Sequence, residues 1–358
     1  MDVGFARAGF ETLVTSELDK DACETLSNNL SLIGHRGNKV SPTSVADFAT
    51  NFQGKVPEHL DLVFGGPPCQ GFSVAGKMNP DDDRSKLIHT FFDVVDFSRP
   101  KGFVCENVKA LAVSDRWTSV RSELIERGRR DYRVALVVLN SKDFGVPQSR
   151  ERMFLVGVRK DIFQRSDDDL RKALVNALEV RKLNPPSVAD IIRSLGPTGT
   201  AANPLTCTAK IVYAKEPILR KSPYAGMLFN GAGRPLPVQK WSTTLPASMG
   251  GNKTPIVDDE EIFGGASNFI EEYHAELMNG RSPRVGEAPK RLRRLTLAEC
   301  AMIQTFPKEY NFAGSKSSIY RQIGNAVPCN LAEAIASSFR VALSQAQGTV
   351  SQASRPAA

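Results

Sequence analysis

The chain has no CxxC pair, and its four histidines do not cluster with any of its six cysteines, Cys23, Cys69, Cys105, Cys207, Cys300 and Cys329. A metal site or a disulfide framework is therefore not expected, and separate reduced thiols suit a cytosolic enzyme. No apolar run approaches the ~20 residues of a membrane span. The opening residues, "MDVGFARAGF", carry no basic n-region and no long apolar core, so they do not read as a secretory signal. There is no internal repeat. What remains is a cytoplasmic, membrane-free globular protein. Its 358 residues are enough for about two domains.

Charge is present in excess on one side. The net charge is +7, which favours a polyanionic partner. Most of the surplus lies between Lys160 and Arg294, where 20 Lys and Arg face 15 Asp and Glu. That segment ends in the dense run "KRLRR", Lys290 to Arg294.

The first 160 residues alternate short apolar runs with helical patterns. "ETLVTSEL", "HLDLVFGG", "GFVCENV", "YRVALVVLN" and "RMFLVGVR" predict strands. "DKDACETLSNNL", "TFFDVVDF" and "WTSVRSELIERG" predict helices, the first with Asp21 and Glu24 at capping-box spacing. This alternation predicts an α/β fold with a doubly wound, mostly parallel sheet, whose ligands bind at the carboxyl ends of the strands. Residues 161–290 are rich in Pro, Gly, Asn, Ser and Thr and predict a smaller, irregular inserted domain. Regularity returns over 291–343. Thr296 with Glu299, and Asn330 with Glu333, have capping-box spacing. The tail, 344–358, is expected to be disordered.

Four places could carry chemistry. In "LVFGGPPCQGF", Pro67 and Pro68 stiffen the approach to Cys69, and Gly65, Gly66 and Gly71 let other groups come close to the backbone. A rigid loop after a strand suits a positioned nucleophile, although a lone cysteine is often a buried structural thiol. Glu106 follows the apolar "GFVC", where partial burial would suit an acid; a capping or salt-bridged Glu has the same signature. Arg150 and Arg152, two apart as a strand begins, would share one face of it. Gly324, Asn325 and Pro328 form a turn before the last helix.

The ordered set "GGPPCQGFSVAGK", "ENV", "FGVPQSRERMFLVGVR", "RRLTLAECAMIQTFP" and "YRQIGNAVPCNLAEAIA" closely resembles the DNA (cytosine-5) methyltransferase family of the bacterial restriction–modification type, over about residues 1 to 343. The resemblance implies a Rossmann-like methyltransferase domain, with target recognition assigned to 161–290. It implies methyl transfer from S-adenosyl-L-methionine to C5 of a flipped cytosine in a specific double-stranded DNA site, through a covalent bond from Cys69 to C6. Glu106 would act at ring N3, Arg152 at the base carbonyl, and Arg150 would support the site. Gln70 and Ser73 would meet DNA. Glu17, Leu18, Asp47, Phe48, Pro68, Leu87, Asn325 and Val327 would hold the cofactor. A monomer is expected, with a cognate restriction endonuclease in the same system but no stable complex with it.

One element of the family pattern is not matched. The family opens on a strand and a Gly-rich turn of the type D-x-F-x-G-x-G-G, and "MDVGFARAGF" matches only the helix that follows it. On that basis the polypeptide is expected to bind cofactor weakly. The alternatives are a catalytically impaired DNA-binding homologue and an RNA cytosine methyltransferase.

Overall fold

The computed structural model describes residues 1–47, 59–67 and 83–353. The chain divides into two compact units. The first comprises Met1–Phe144, Glu151–Lys182 and Leu331–Ala358; the second comprises Gly145–Arg150 and Leu183–Asn330. These units do not follow the divisions read from composition, because residues 291–330 pack with the middle segment.

The first unit is built on a four-stranded sheet of order β1-β2-β4-β3. Its strands are β1 (Leu62–Gly65), β2 (Gly102–Val108), β3 (Tyr132–Asn140) and β4 (Glu151–Arg159). β1 and β2 run parallel, but β4 is antiparallel to both β2 and β3. The expectation of a mostly parallel sheet is therefore corrected to a mixed one. The reason is the connection from β3 to β4, Ser141–Arg150. A parallel return needs a crossover of a dozen or more residues, and this link is too short for one.

Helices cover both faces. α3 (Asp83–Ser98), α4 (Lys109–Val113) and α5 (Thr118–Gly128) lie on the face of Phe103, Cys105, Met153 and Leu155, around the buried Trp117 and Leu124. On the opposite face Phe5 of α1 (Asp2–Arg7) stacks on Phe64 at 4.0 Å. The ring of Phe339, from the last helix, packs where a Cβ on Gly102 would stand. This alternation is the period-two pattern of a sheet buried on both sides.

Three local readings change. "ETLVTSEL" makes no ladder: Thr12 forms an isolated bridge with His35, so Glu17 sits in an extended segment rather than at a strand end. α2 (Lys20–Asn28) is capped by Asp19, whose side chain accepts from Ala22 N; Asp21 lies inside the first turn. The last helix, α12, begins at Cys329, so Asn330 is within it rather than its cap, and it runs to Ala353, into the tail expected to be disordered. The capping box of Thr296 and Glu299 forms as read, opening α10 (Leu297–Ile303).

The second unit has short elements and its own core. α6 (Asp167–Glu179) belongs to the first unit; α7 (Val188–Leu195) opens the long segment of the second. Two small sheets follow, β5 (Tyr213–Ile218) with β6 (Met227–Phe229) and β7 (Ile256–Asp258) with β8 (Leu292–Arg294). Between β7 and β8 come α8 (Asp259–Gly264) and α9 (Phe269–Met278). α11 (Lys316–Asn325) closes the unit. Leu245, Val257, Leu295, Ile303 and Ile323 are fully buried together, so the segment read as irregular is held by a real apolar core. No described helix is long and apolar enough to cross a membrane.

Candidate active site

Glu106 lies in β2, not after it, and the sheet register decides what it meets. It stands opposite Phe154 on β4, so Arg152, two residues before Phe154, is its diagonal neighbour on the same face. Diagonal positions are within reach of long side chains. Arg152 Nε meets Glu106 Oε1 at 2.9 Å, with only 15% and 12% of the two side chains exposed. A second nitrogen of Arg152, Nη1, donates to the Glu151 carbonyl at 2.8 Å, which fixes the guanidinium plane.

The end of β1 docks onto this pair. A Cβ on Gly66 would stand 2.8 Å from Glu106 Oε2, so the missing side chain makes room for the carboxylate. Asn107 is buried, and its Nδ2 donates to the Pro67 carbonyl at 3.3 Å. Thus β1 leaves the sheet held against Glu106 and Asn107. The next residues in the chain are Pro68, Cys69 and Gln70; these, with Ser73 and Phe48, lie outside the described residues.

Arg150 departs from expectation. β4 starts at Glu151, so Arg150 precedes the strand and does not share a strand face with Arg152. Its side chain is buried and donates to the carbonyls of Leu245 at 3.1 Å, Gly324 at 2.9 Å and Asn325 at 3.3 Å, all in the second unit. Period two was the wrong inference because the chain enters the strand only after this residue.

The five described cysteines are buried, and none of them is in a disulfide. Cys105 is next to Glu106 but points to the other face of the sheet, into the helical core. Burial, then the Glu106 charge, push its thiol well above the ordinary range. Cys23 is pushed up to about 11 by burial, then by Glu17 and Asp19. None of these thiols has the exposure of a nucleophile.

Of the expected cofactor residues, Glu17, Leu18, Asp47 and Leu87 belong to the first unit and Asn325 and Val327 to the second. Glu17 Oε1 accepts from Leu18 N at 2.7 Å and Asp19 N at 2.9 Å. That holds the carboxylate still and leaves Oε2 with no described hydrogen bond. Leu18 is 68% exposed, an apolar side chain without a described cover. The extended Glu17 segment pairs with Thr43, and the turn at Val45–Asp47 packs on α3, which carries Leu87. The Glu17 carboxylate is thus fixed beside the exposed Leu18. Asn325 is exposed, whereas Val327 is buried.

The run "KRLRR" is not a basic surface. Arg291 Nε pairs with the fully buried Asp258 at 2.8 Å. Arg293 bridges Asp259 at 2.8 Å and the fully buried Glu299 at 2.7 Å. Arg294 is buried and donates to the carbonyls of Thr254 and Asn252 at 2.8 and 3.1 Å. Only Lys290 is exposed. Sequence reading also passed over Gln148, which is fully buried in a polar network; its place in "PQSR" two residues before Arg150 was the available signal.

The family profile described as "C-5 cytosine-specific DNA methylase" matches residues 1–340. The chain is 31% identical over 343 residues to the Type II methyltransferase M1.HphI of Haemophilus parahaemolyticus, covering 93% of this chain and 82% of that one. It is 28% identical to M.NgoPII of Neisseria gonorrhoeae, covering 96% and 93%. Among solved structures, a putative DNA modification methyltransferase from an E. coli prophage has a TM-score of 0.60 at 21% identity, covering 94% of each chain. The Entamoeba histolytica methyltransferase EhMeth has a TM-score of 0.62 at 15% identity, covering 94% of this chain and 95% of that one. At such identities the structures speak for the fold alone.

Proposed function

Because the chain belongs to the C-5 cytosine-specific DNA methylase family, we propose that it methylates C5 of a cytosine flipped out of a specific duplex DNA site, and that Cys69, Glu106 and Arg152 carry the reaction. The observation that supports this most is the ion pair of Arg152 and Glu106 at 2.9 Å, with Gly66 against the carboxylate and Pro67, two residues before Cys69, held by Asn107.

Cytosine C5 is a poor nucleophile. The Cys69 thiolate adds to C6, forming the S–C6 bond, and the C5=C6 electron pair moves to C5. Glu106 faces ring N3 and delivers or holds a proton there, so that negative charge does not build on the ring. Arg152 holds Glu106 in place and offers its guanidinium to the base carbonyl. S-adenosyl-L-methionine, when bound, supplies an electrophilic methyl group. Glu17 would accept from its ribose hydroxyls and Leu18 would cover its adenine; the family resemblance also assigns Asp47, Phe48, Pro68, Leu87, Asn325 and Val327 to the cofactor. Loss of the C5 proton to water restores the C5=C6 bond and expels the Cys69 thiolate. Reaching C6 requires the base to leave the stack.

The second unit contains most of the segment assigned to target recognition, 161–290, and we assign base reading to its Thr244–Pro255 stretch. Gln70 and Ser73 would contact the DNA near the flipped base. A monomeric enzyme working beside a restriction endonuclease, without a stable complex, is consistent with a type II system.

Incubation with duplex DNA containing 5-fluorocytosine and the methyl donor tests the reading. The expected result is a denaturation-resistant protein–DNA adduct that is absent in C69S and strongly reduced in E106Q. An adduct undiminished in C69S, or formed only with RNA, would overturn it.

A further inference from the structure

The segment Pro147–Arg150 leads into β4 but belongs to the second unit. It lies beside Ser242–Leu245. Ser242 N donates to the Pro147 carbonyl at 2.9 Å, Ser149 N donates to the Ser242 carbonyl at 2.8 Å, and Thr244 Oγ1 donates to the Ser149 carbonyl at 2.9 Å.

Two buried side chains of this segment then hold Leu245 from both ends of its backbone. Gln148 Oε1 accepts the Leu245 N–H at 2.9 Å, and Arg150 Nη1 donates to the Leu245 carbonyl at 3.1 Å. Arg150 also reaches the end of α11 directly, and Gln148 does so through Gln304. Arg150 Nη2 donates to the carbonyls of Gly324 at 2.9 Å and Asn325 at 3.3 Å. Gln148 Nε2 donates to Gln304 Oε1 at 3.0 Å, and Gln304 Nε2 donates onward to the Ile323 carbonyl at 2.6 Å. The fit is close: a Cβ on Gly324 would stand 2.4 Å from the Pro246 carbonyl.

The network has a direction. Each amide receives a donor on one side and passes one on, so neither Gln148 nor Gln304 can turn over without opposing two acceptors. The side chains of Leu245 and Met249 are buried, while those of Thr244, Pro246, Ser248 and Asn252 stay at the surface. A surface stretch is thereby given one backbone conformation from below.

We propose that Gln148 and Arg150 are positioning residues for base reading: they lock the Leu245 peptide to the end of α11, so that the exposed residues around it meet the DNA groove in a single register. This rests on the DNA-methylating function proposed above. Loosening the lock removes discrimination between sequences, and leaves the phosphate contacts that supply non-specific affinity.

The test measures a ratio. A duplex enriched by the wild-type chain from a randomised pool, and a scrambled duplex of equal length, are titrated against wild type, R150K, Q148M and V257A. Val257 is a buried core residue of the same unit outside this network. The ratio of the two affinities does not depend on how much of a variant is folded. It is expected to fall about 10-fold or more in R150K and Q148M, the effect of at least one misread base pair, and to hold in V257A. A ratio preserved in both network variants, or lost equally in V257A, overturns the proposal alone. A wild-type chain that enriches no duplex overturns the DNA-methylating reading, and this proposal with it.

Discussion

Gly66 leaves open the space that the Glu106 carboxylate fills, with Oε2 only 2.8 Å from where a Cβ on Gly66 would stand. The atom that would have to move is the end of a flexible side chain, so Gly66→Ala should cost little stability. It should nevertheless push Glu106 off Arg152. A melting temperature within about 3 °C of wild type, with kcat for methyl transfer lowered about 10-fold or more, is the expected result. An unchanged kcat would show that the exit of β1 does not set the position of Glu106.

The Arg152–Glu106 pair should behave as a coupled, largely buried unit. Arg152→Met removes the arginine from a carboxylate with 12% exposure, a loss of about 3 kcal/mol. The double variant with Glu106→Gln should recover at least ~1 kcal/mol of that loss. Urea unfolding of the four proteins measures the coupling, and strict additivity would argue against it.

The "KRLRR" run should act in folding, not in binding. Arg293→Ala removes the cationic partner of the fully buried Glu299 and is expected to cost about 3 kcal/mol. Lys290→Ala should stay within about 0.5 kcal/mol of wild type. A loss of DNA affinity in Arg293→Ala at unchanged unfolding midpoint would contradict the buried arrangement.

Thiol reactivity should single out one cysteine. Cys23, Cys105, Cys207, Cys300 and Cys329 are buried, so a disulfide reagent at pH 8 should find one fast thiol in the native protein, lost in Cys69→Ser. A second fast thiol would count against the buried set. Cys23 also implies a pH dependence. Its folded pKa, about 11, lies above the unfolded value. The unfolded chain therefore releases its proton first. The contribution is intact below about pH 8.5 and declines as pH rises toward 11, and Cys23→Ala should remove that alkaline decline.

Part of the candidate site is legible in the sequence. Glu106 and Arg152 were named from short segments, and the strands that carry them, β2 and β4, follow the apolar runs that announced them. Gly66 was read as a place of close approach, and the approaching group is Glu106 itself. The errors have physical causes. Arg150 and Arg152 look equivalent at period two, but only the ladder shows that β4 begins between them. The arginines near 293 look like surplus charge, because a count cannot see Asp258 and Asp259, which come from more than 30 residues upstream.

By itself the sequence marked the candidate residues: a thiol behind two prolines, a carboxylate in an apolar strand, an arginine near the start of another, and the family those segments identify. Local patterns suffice there because each depends on residues close along the chain. Tertiary structure alone decided which charges are spent inside and which strands pair antiparallel. It also decided that Gln148 and Arg150 grip Leu245, nearly a hundred residues away. Those outcomes depend on burial and register, where a buried polar group must find its partner wherever the fold brings one within reach.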